Sequence, residues 1–189
     1  MDLMKVGVLR IGEVDPTIAA RIQESLSATF QKTKCVSINE TLQVPEKAFD
    51  TRRKQYCSSD ILDSIQEYAE KQTTLKRVLG IIDQDIFVSP LTFVFGEARC
   101  LGKAALISFH RLKPKFYGQK PNAELFTERA EKEAAHELGH TFGLEHCPNP
   151  FCVMHFSNSI FDTDRKQGLL CSKCQRKFDD MWNALGEQL

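Results

Sequence analysis

No run of about 18 consecutive apolar residues occurs in the 189-residue sequence, so no membrane-spanning helix is expected. The opening stretch from Met1 to Gly12 carries Lys5 and Arg10 and has no uncharged apolar core of signal-peptide length, so the chain reads as intracellular and cytoplasmic. Neither sign of charge is in excess: 25 basic residues balance 25 acidic ones. A net charge of zero leaves no electrostatic footprint for nucleic acid. The cysteine count is odd, 7 in all, and with no export signal this argues against the disulfide framework of a secreted domain. No internal repeat or low-complexity tract appears. What remains, 42 % apolar and 26 % charged residues, is ordinary for one compact soluble domain with at most a small appendage.

Histidine is scarce, with 5 in the chain, yet three of them fall in the stretch HELGHTFGLEH that runs from His136 to His146. On a helix, residues four apart are separated by about 400° of rotation and about 6 Å of rise, so His136 and His140 share a face. Two imidazoles so placed can take two corners of a tetrahedral Zn²⁺ site. Glu137, beside His136, is placed to act as general base on water rather than as a ligand. Gly143 can accept φ > 0, end the helix and turn the chain back, which makes His146 the third ligand and leaves a fourth position open.

The rest of the chain predicts a sheet with helices packed on it. Lys5 to Ile11 is a short β-branched strand. Asp15-Pro16 then caps a helix with Ile18, Ile22, Leu26 and Phe30 on one stripe. Lys34 to Ile38 reads as a second strand. Asn39 to Tyr56 reads as a loop, with Arg52-Arg53-Lys54 as a solvated basic face or an anion contact. Ser59-Asp60 is expected to cap a second helix carrying Ile61, Ile65 and Tyr68 or Ala69. Leu75 to Ile82 is a buried third strand, and Asp83 to Pro90 a connection at the sheet edge. Thr92 to Phe95 and Lys103 to Phe109 form an antiparallel pair, giving a mixed sheet. Arg111 to Asn122 is a loop, and Asn122 caps a long helix ending near Phe142. Phe178, Met181, Trp182 and Leu185 mark a terminal helix that packs on the core.

Beyond Gly143 the chain becomes cysteine-rich. Cys147 and Cys152 form a Cys-x4-Cys pair, and after residues 153–170 Cys171 and Cys174 form a Cys-x2-Cys pair. Two chelating pairs across a loop make a four-thiolate zinc pattern with no open coordination position, hence a structural rather than a catalytic metal. Cys35, Cys57 and Cys100 are scattered and read as buried or half-buried. Met154, eight residues after His146, is placed for the methionine turn that floors a three-histidine zinc in metzincin peptidases.

Taken together, HELGHTFGLEHC, the following x4-Cys-Val-Met and the downstream Cys-x2-Cys resemble the archaemetzincin family of zinc metallopeptidases. RRKQY (52–56), FVFGEA (93–98), FSNSI (156–160) and DTDRK (162–166) are similar to that family as well, so the likeness covers nearly the whole chain. The resemblance implies an α+β, metzincin-like fold: a twisted mixed β-sheet with packed helices, a long active-site helix and a small C-terminal subdomain around a four-cysteine zinc site. Residues 1–143 would form the upper subdomain and 144–189 the lower one of a single catalytic domain. It implies two Zn²⁺ per chain, a catalytic ion on His136, His140 and His146 and a structural ion on Cys147, Cys152, Cys171 and Cys174, with Glu137 as general base and Met154 in the turn. Some metzincins carry a tyrosine two residues after the methionine. Here that position is Phe156, which cannot donate a hydrogen bond, with His155 as the neighbouring donor.

The expected function is therefore peptide-bond hydrolysis on a peptide or protein substrate by a monomer, with an upper edge strand, Thr92 to Arg99 or Lys103 to His110, binding substrate by β-addition. Two other readings stand beside it: a zinc-stabilised peptide-binding protein with absent or restricted activity, and a DNA-associated metallopeptidase, which the neutral charge disfavours.

Overall fold

Alternation along three strands decides the architecture. In the structure, a computed structural model that describes residues 3–186, β1 (Met4–Ile11), β5 (Arg77–Ile82) and β8 (Ala104–Ser108) bury both faces. Val6 and Val8, Leu79 and Ile81, and Ala105 and Ile107 enter one core cluster. Leu9 and Ile11, Val78 and Ile82, and Ala104 and Leu106 enter a second cluster on the other face. A sheet apolar on both faces needs helices on both. The first cluster is closed by α1 (Pro16–Thr29) and α3 (Ala123–Thr141), through Ile22, Leu26, Ala130, Ala134 and Leu138. The second is closed by α2 (Ser58–Lys71), through Ile61, Leu62, Ile65 and Ala69.

The main sheet has five strands in the order β2-β1-β5-β8-β7, where β2 is Thr33–Leu42 and β7 is Gly96–Ala98. All neighbours run parallel except β7, which lies antiparallel to β8 at the edge. The expected mixed sheet is present, but the antiparallel partner of β8 is Gly96–Ala98, in the stretch between the two expected strands. Thr92–Phe95 is not strand, and β8 is interior, between β5 and β7, so Lys103 to His110 is no edge.

Three further expectations are corrected. The segment 39–56 is not simply a loop: β2 runs on to Leu42, and β3 (Phe49–Asp50) and β4 (Gln55–Cys57) join β6 (Ile86–Phe87) in a small second sheet. Its polar side chains misled because this ribbon lies at the surface, where strands need bury only one face. The caps Asp15 and Asn122 accept from the Thr17 and Leu125 amides as expected, but α2 begins at Ser58 with Cys57 as an N-cap whose side chain makes no bond. Cys35 is buried and Cys57 half-buried, whereas Cys100 is exposed.

After Gly143 the chain makes a short α4 (Ile160–Arg165) and a terminal α5 (Ser172–Gly186). Phe178 on α5 packs 5.2 Å from both Phe30 and Phe142, with Met181 and Trp182 against the same core. Leu185, the last expected member of that stripe, lies outside the residues whose side chains are described. Among the described residues no helix is long and apolar enough to cross a membrane.

Candidate active site

The end of α3 is closed as its glycine predicts. Gly143 has φ of +82°, its amide donates to His140 O at 2.8 Å, and the Leu144 amide reaches back to Gly139 O at 3.1 Å. This pair of bonds is the Schellman closure of a helix, which a left-handed glycine permits. The chain then returns beneath the helix, and the rings of His136, His140 and His146 come together with one nitrogen of each within 4.8 Å of the others.

Hydrogen bonds fix the tautomers of two of these rings. His136 Nδ1 donates to Val153 O at 2.8 Å, and His140 Nδ1 donates to Leu144 O at 2.7 Å. Each Nε2 is therefore a bare lone pair, and the two Nε2 atoms face each other at 3.1 Å. Facing lone pairs repel unless a cation lies between them. Two corners of a tetrahedron with Zn–N near 2.05 Å are about 3.3 Å apart, so the donor set fits zinc. Burial, then the charge of Lys166, holds His136 well below the ordinary histidine range. His140 and His146 are lowered chiefly by burial too. All three rings are thereby kept in the neutral, ligating form.

Glu137 turns from the same helix toward β7. It is 6 % exposed, and burial, reinforced by the nearby Glu133 carboxylate, pushes its pKa well above the usual carboxylate range. Strand and helix meet closely here. A Cβ on Gly96 would stand 2.5 Å from Glu137 Cγ and 2.6 Å from Leu106 O. Among the described residues no strand pairs with the outer side of β7. Phe95 O accepts from the Ser108 amide at 2.8 Å and the Arg99 amide donates to Ala104 O at 3.0 Å. By antiparallel alternation, the backbone groups of Gly96 and Ala98 therefore point off the sheet.

The four later cysteines form a second cluster, each Sγ within 4.8 Å of the others. Cys147 Sγ and Cys171 Sγ are 3.8 Å apart. A disulfide would require about 2.05 Å, whereas two thiolates on a tetrahedral zinc with Zn–S of about 2.3 Å stand about 3.8 Å apart. The cluster fits a shared ion and not a bridge. Burial opposes ionisation, yet bonds from the Cys174 amide and the neighbouring thiols bring Cys171 down to about 7. Met154 is fully buried beneath α3 and its carbonyl accepts from the Cys147 amide at 2.8 Å.

The cleft beside Glu137 and His136 runs between residues 91–96 on one side and Phe156, Ser157 and Asn158 on the other. Phe156 packs against the His146 ring with centroids 4.8 Å apart and the planes tilted by 53°, and His155 Nδ1 donates to Cys147 O at 2.8 Å. Both rims are anchored by residues whose role the sequence did not reveal. Arg53 donates to Leu91 O and Thr92 O, and Gln55 Nε2 to Thr92 O, so one member of the basic triplet holds the upper rim while Arg52 and Lys54 are exposed. Below, Glu133 Oε1 accepts from Ser157 and Thr163 and lies 2.9 Å from Lys166 Nζ. Both charged groups are buried, and the ammonium is off the line of a hydrogen bond, so the pair is an ion contact. One signal could have exposed Glu133: it precedes Glu137 by four residues and so shares its face of α3.

Comparison with known proteins adds an independent line. The profile of Peptidase family M54 matches residues 21–180. An archaemetzincin of Pyrococcus abyssi is 45 % identical over 176 residues, covering 91 % of this chain and 93 % of that one. The crystal structure of archaemetzincin from Methanopyrus kandleri superposes with a TM-score of 0.82 at 34 % identity, over 96 % of this chain and 97 % of that one. A zinc-dependent peptidase from Methanocorpusculum labreanum superposes with a TM-score of 0.83 at 27 % identity, over 92 % and 99 %.

Proposed function

The chain belongs to peptidase family M54, the archaemetzincins, and is a zinc metallopeptidase, and from that membership we propose that His136, His140 and His146 hold its catalytic zinc while Glu137 serves as general base. The observation that carries this assignment is the pair of Nε2 lone pairs facing each other at 3.1 Å, each fixed by a carbonyl behind its ring. Zinc, when bound there, supplies a Lewis acid that acidifies water toward a pKa of about 7 and polarises a carbonyl. Glu137, beside that centre on the same helix, takes the proton from water and returns it to the leaving amine. The substrate peptide lies along the free edge of β7, pairing with the backbone of Gly96 and Ala98.

A second zinc on Cys147, Cys152, Cys171 and Cys174 makes two per chain, a reading supported by the 3.8 Å sulfur separation. It staples the segment that carries His146, since Cys147 is the next residue. Met154 floors the histidine centre. Residues 1–143 act as an upper and 144–189 as a lower subdomain of one catalytic domain, a division supported by the reversal at Gly143. The chain is read as a cytoplasmic monomer whose partner is a peptide, with neither nucleic acid nor membrane involved; zero net charge, which leaves no basic footprint, supports the exclusion of nucleic acid.

Metal analysis and peptide-library hydrolysis test this together. The wild type is expected to bind two zinc ions and Cys171→Ser one. Glu137→Ala is expected to keep both ions and cleave nothing. Unchanged turnover in Glu137→Ala would remove the assigned base, and a single zinc in the wild type would remove the second site.

A further inference from the structure

The geometry points to Glu97 as a positioning residue: clamped by Ser58 and Ser59, it holds the edge strand β7 at the height at which a substrate strand can pair with it beside Glu137. The inference rests on the cleft as read above and concerns how that cleft is kept in shape.

β7 is three residues long and has one neighbour in the sheet, β8. Such a strand is weakly held by its ladder alone. Its side chains alternate between faces. Gly96 meets Glu137 of α3, and Ala98 packs against the cluster that α3 closes. Glu97, between them, points the other way, to the first turn of α2. There Ser59 Oγ donates to its Oε1 at 2.8 Å, and the Ser58 hydroxyl shares its proton between Oε2 and Phe87 O, the latter at 3.0 Å. Cys57, the N-cap of α2, makes no side-chain bond, so the helix start is tied to β7 instead of to its own cap. The strand is thus gripped from one face by α2 while its other face touches the proposed base. Release of the grip would let β7 drift, and a drifting strand loses affinity for a peptide that must pair along it.

A helix-capping role alone would also destabilise on mutation, so the test separates strand from helix. Hydrogen exchange and inhibitor binding are measured on the zinc-loaded full-length protein as wild type, Glu97→Ala, Glu97→Gln and the Ser58→Ala/Ser59→Ala pair. The probes are acetohydroxamic acid, which reaches the histidine centre only, and a leucine-rich tripeptidyl hydroxamate long enough to lie along β7. In Glu97→Ala and in the serine pair, exchange at the amides of residues 97 and 99 is expected to rise about tenfold while β1 and β5 amides are unmoved. The tripeptidyl probe should weaken about tenfold and acetohydroxamic acid by less than about twofold. Glu97→Gln, which keeps an acceptor for the hydroxyls, should restore most of the tripeptide affinity. Equal weakening of both probes, or unchanged exchange at 97 and 99, would overturn the assignment. Failure of acetohydroxamic acid to bind the wild type would instead strike the histidine centre, and the exchange data would still decide the role of Glu97.

Discussion

Met154 Sδ lies 2.5 Å from the point that a Cβ on Gly139 would occupy, with Cε 3.1 Å from it. The methionine therefore fills the space left by a missing side chain on α3, between the turns that carry His136 and His140. Gly139→Ala forces the thioether away. Overpacking of this kind costs about 1–3 kcal/mol, and here the displacement is passed on to the floor of the histidine centre. Gly139→Ala is expected to unfold earlier in denaturant and to retain less zinc at equal chelator concentration. Because the two residues meet, combining Gly139→Ala with Met154→Ala should cost less than the sum of the single changes. Strict additivity would show that they do not touch in solution.

Gly96 offers a sharper probe of the cleft, since one of the atoms in its way cannot yield. Leu106 O is backbone in the neighbouring strand, 2.6 Å from the position of the added Cβ, and Glu137 Cγ is 2.5 Å away on the other side. Gly96→Ala must lift β7 or swing the base aside. A displacement of about 1 Å at a reacting group can cost about 100-fold in rate. kcat/KM on a cleavable peptide is expected to fall by about that factor with zinc content unchanged. Wild-type turnover would mean that β7 and Glu137 are not in contact.

The buried pair beneath the cleft sets a third expectation. Lys166 and Glu133 are 0 % and 3 % exposed, and the same carboxylate oxygen takes the hydroxyls of Ser157 and Thr163. Removing one partner strands the other charge, at a cost of about 3–5 kcal/mol. Lys166→Ala should therefore be strongly destabilised in urea. Lys166→Met combined with Glu133→Gln, which leaves no charge behind, should recover most of that loss. A double variant no better than Lys166→Ala would show that the charges are not the source of the effect.

The histidine and cysteine clusters were legible in the sequence because their chemistry is local. Helical spacing places His136 under His140, a single glycine reverses the chain, and Cys147 follows His146 directly. Of the two-faced strands, Leu75 to Ile82 was legible as buried from its apolar stretch 78–82, whereas Lys103 to Phe109, a candidate edge in sequence, gains its second buried face only in the fold. What escaped were contacts between residues distant in the chain. Glu97 takes over the hydroxyls of Ser58 and Ser59 from 38 or more positions away, so the expected cap at Ser59 is absent. Arg53 looks like part of a solvated basic run until the 91–92 carbonyls are folded over it. Nothing local in the sequence pairs Lys166 with Glu133, 33 positions apart, and only the fold brings the two buried charges together.

Glu137 carries the last expectation, in pH. In the metal-free protein burial raises its folded pKa well above the ordinary 4.5, so the folded state keeps a proton that the unfolded chain releases. The unfolded state then binds fewer protons than the native one, and stability falls as pH rises from about 4.5 toward the folded value, by at most about 1.4 kcal/mol per unit. His136, His140 and His146 act in the opposite sense. Their lowered values make the unfolded chain take up protons first, so stability is lost as pH drops below about 6.5. Glu137→Gln removes only the carboxylate contribution, and the histidine contribution, common to both proteins, cancels in the difference. Urea midpoints of metal-free wild type and Glu137→Gln should therefore lie closest near pH 4.5 and separate as pH rises above it until the folded carboxyl itself ionises, with the glutamine protein the more stable and without hydrolytic activity when zinc is restored. A gap that stays constant across that range would show that the carboxyl is not held protonated by its surroundings.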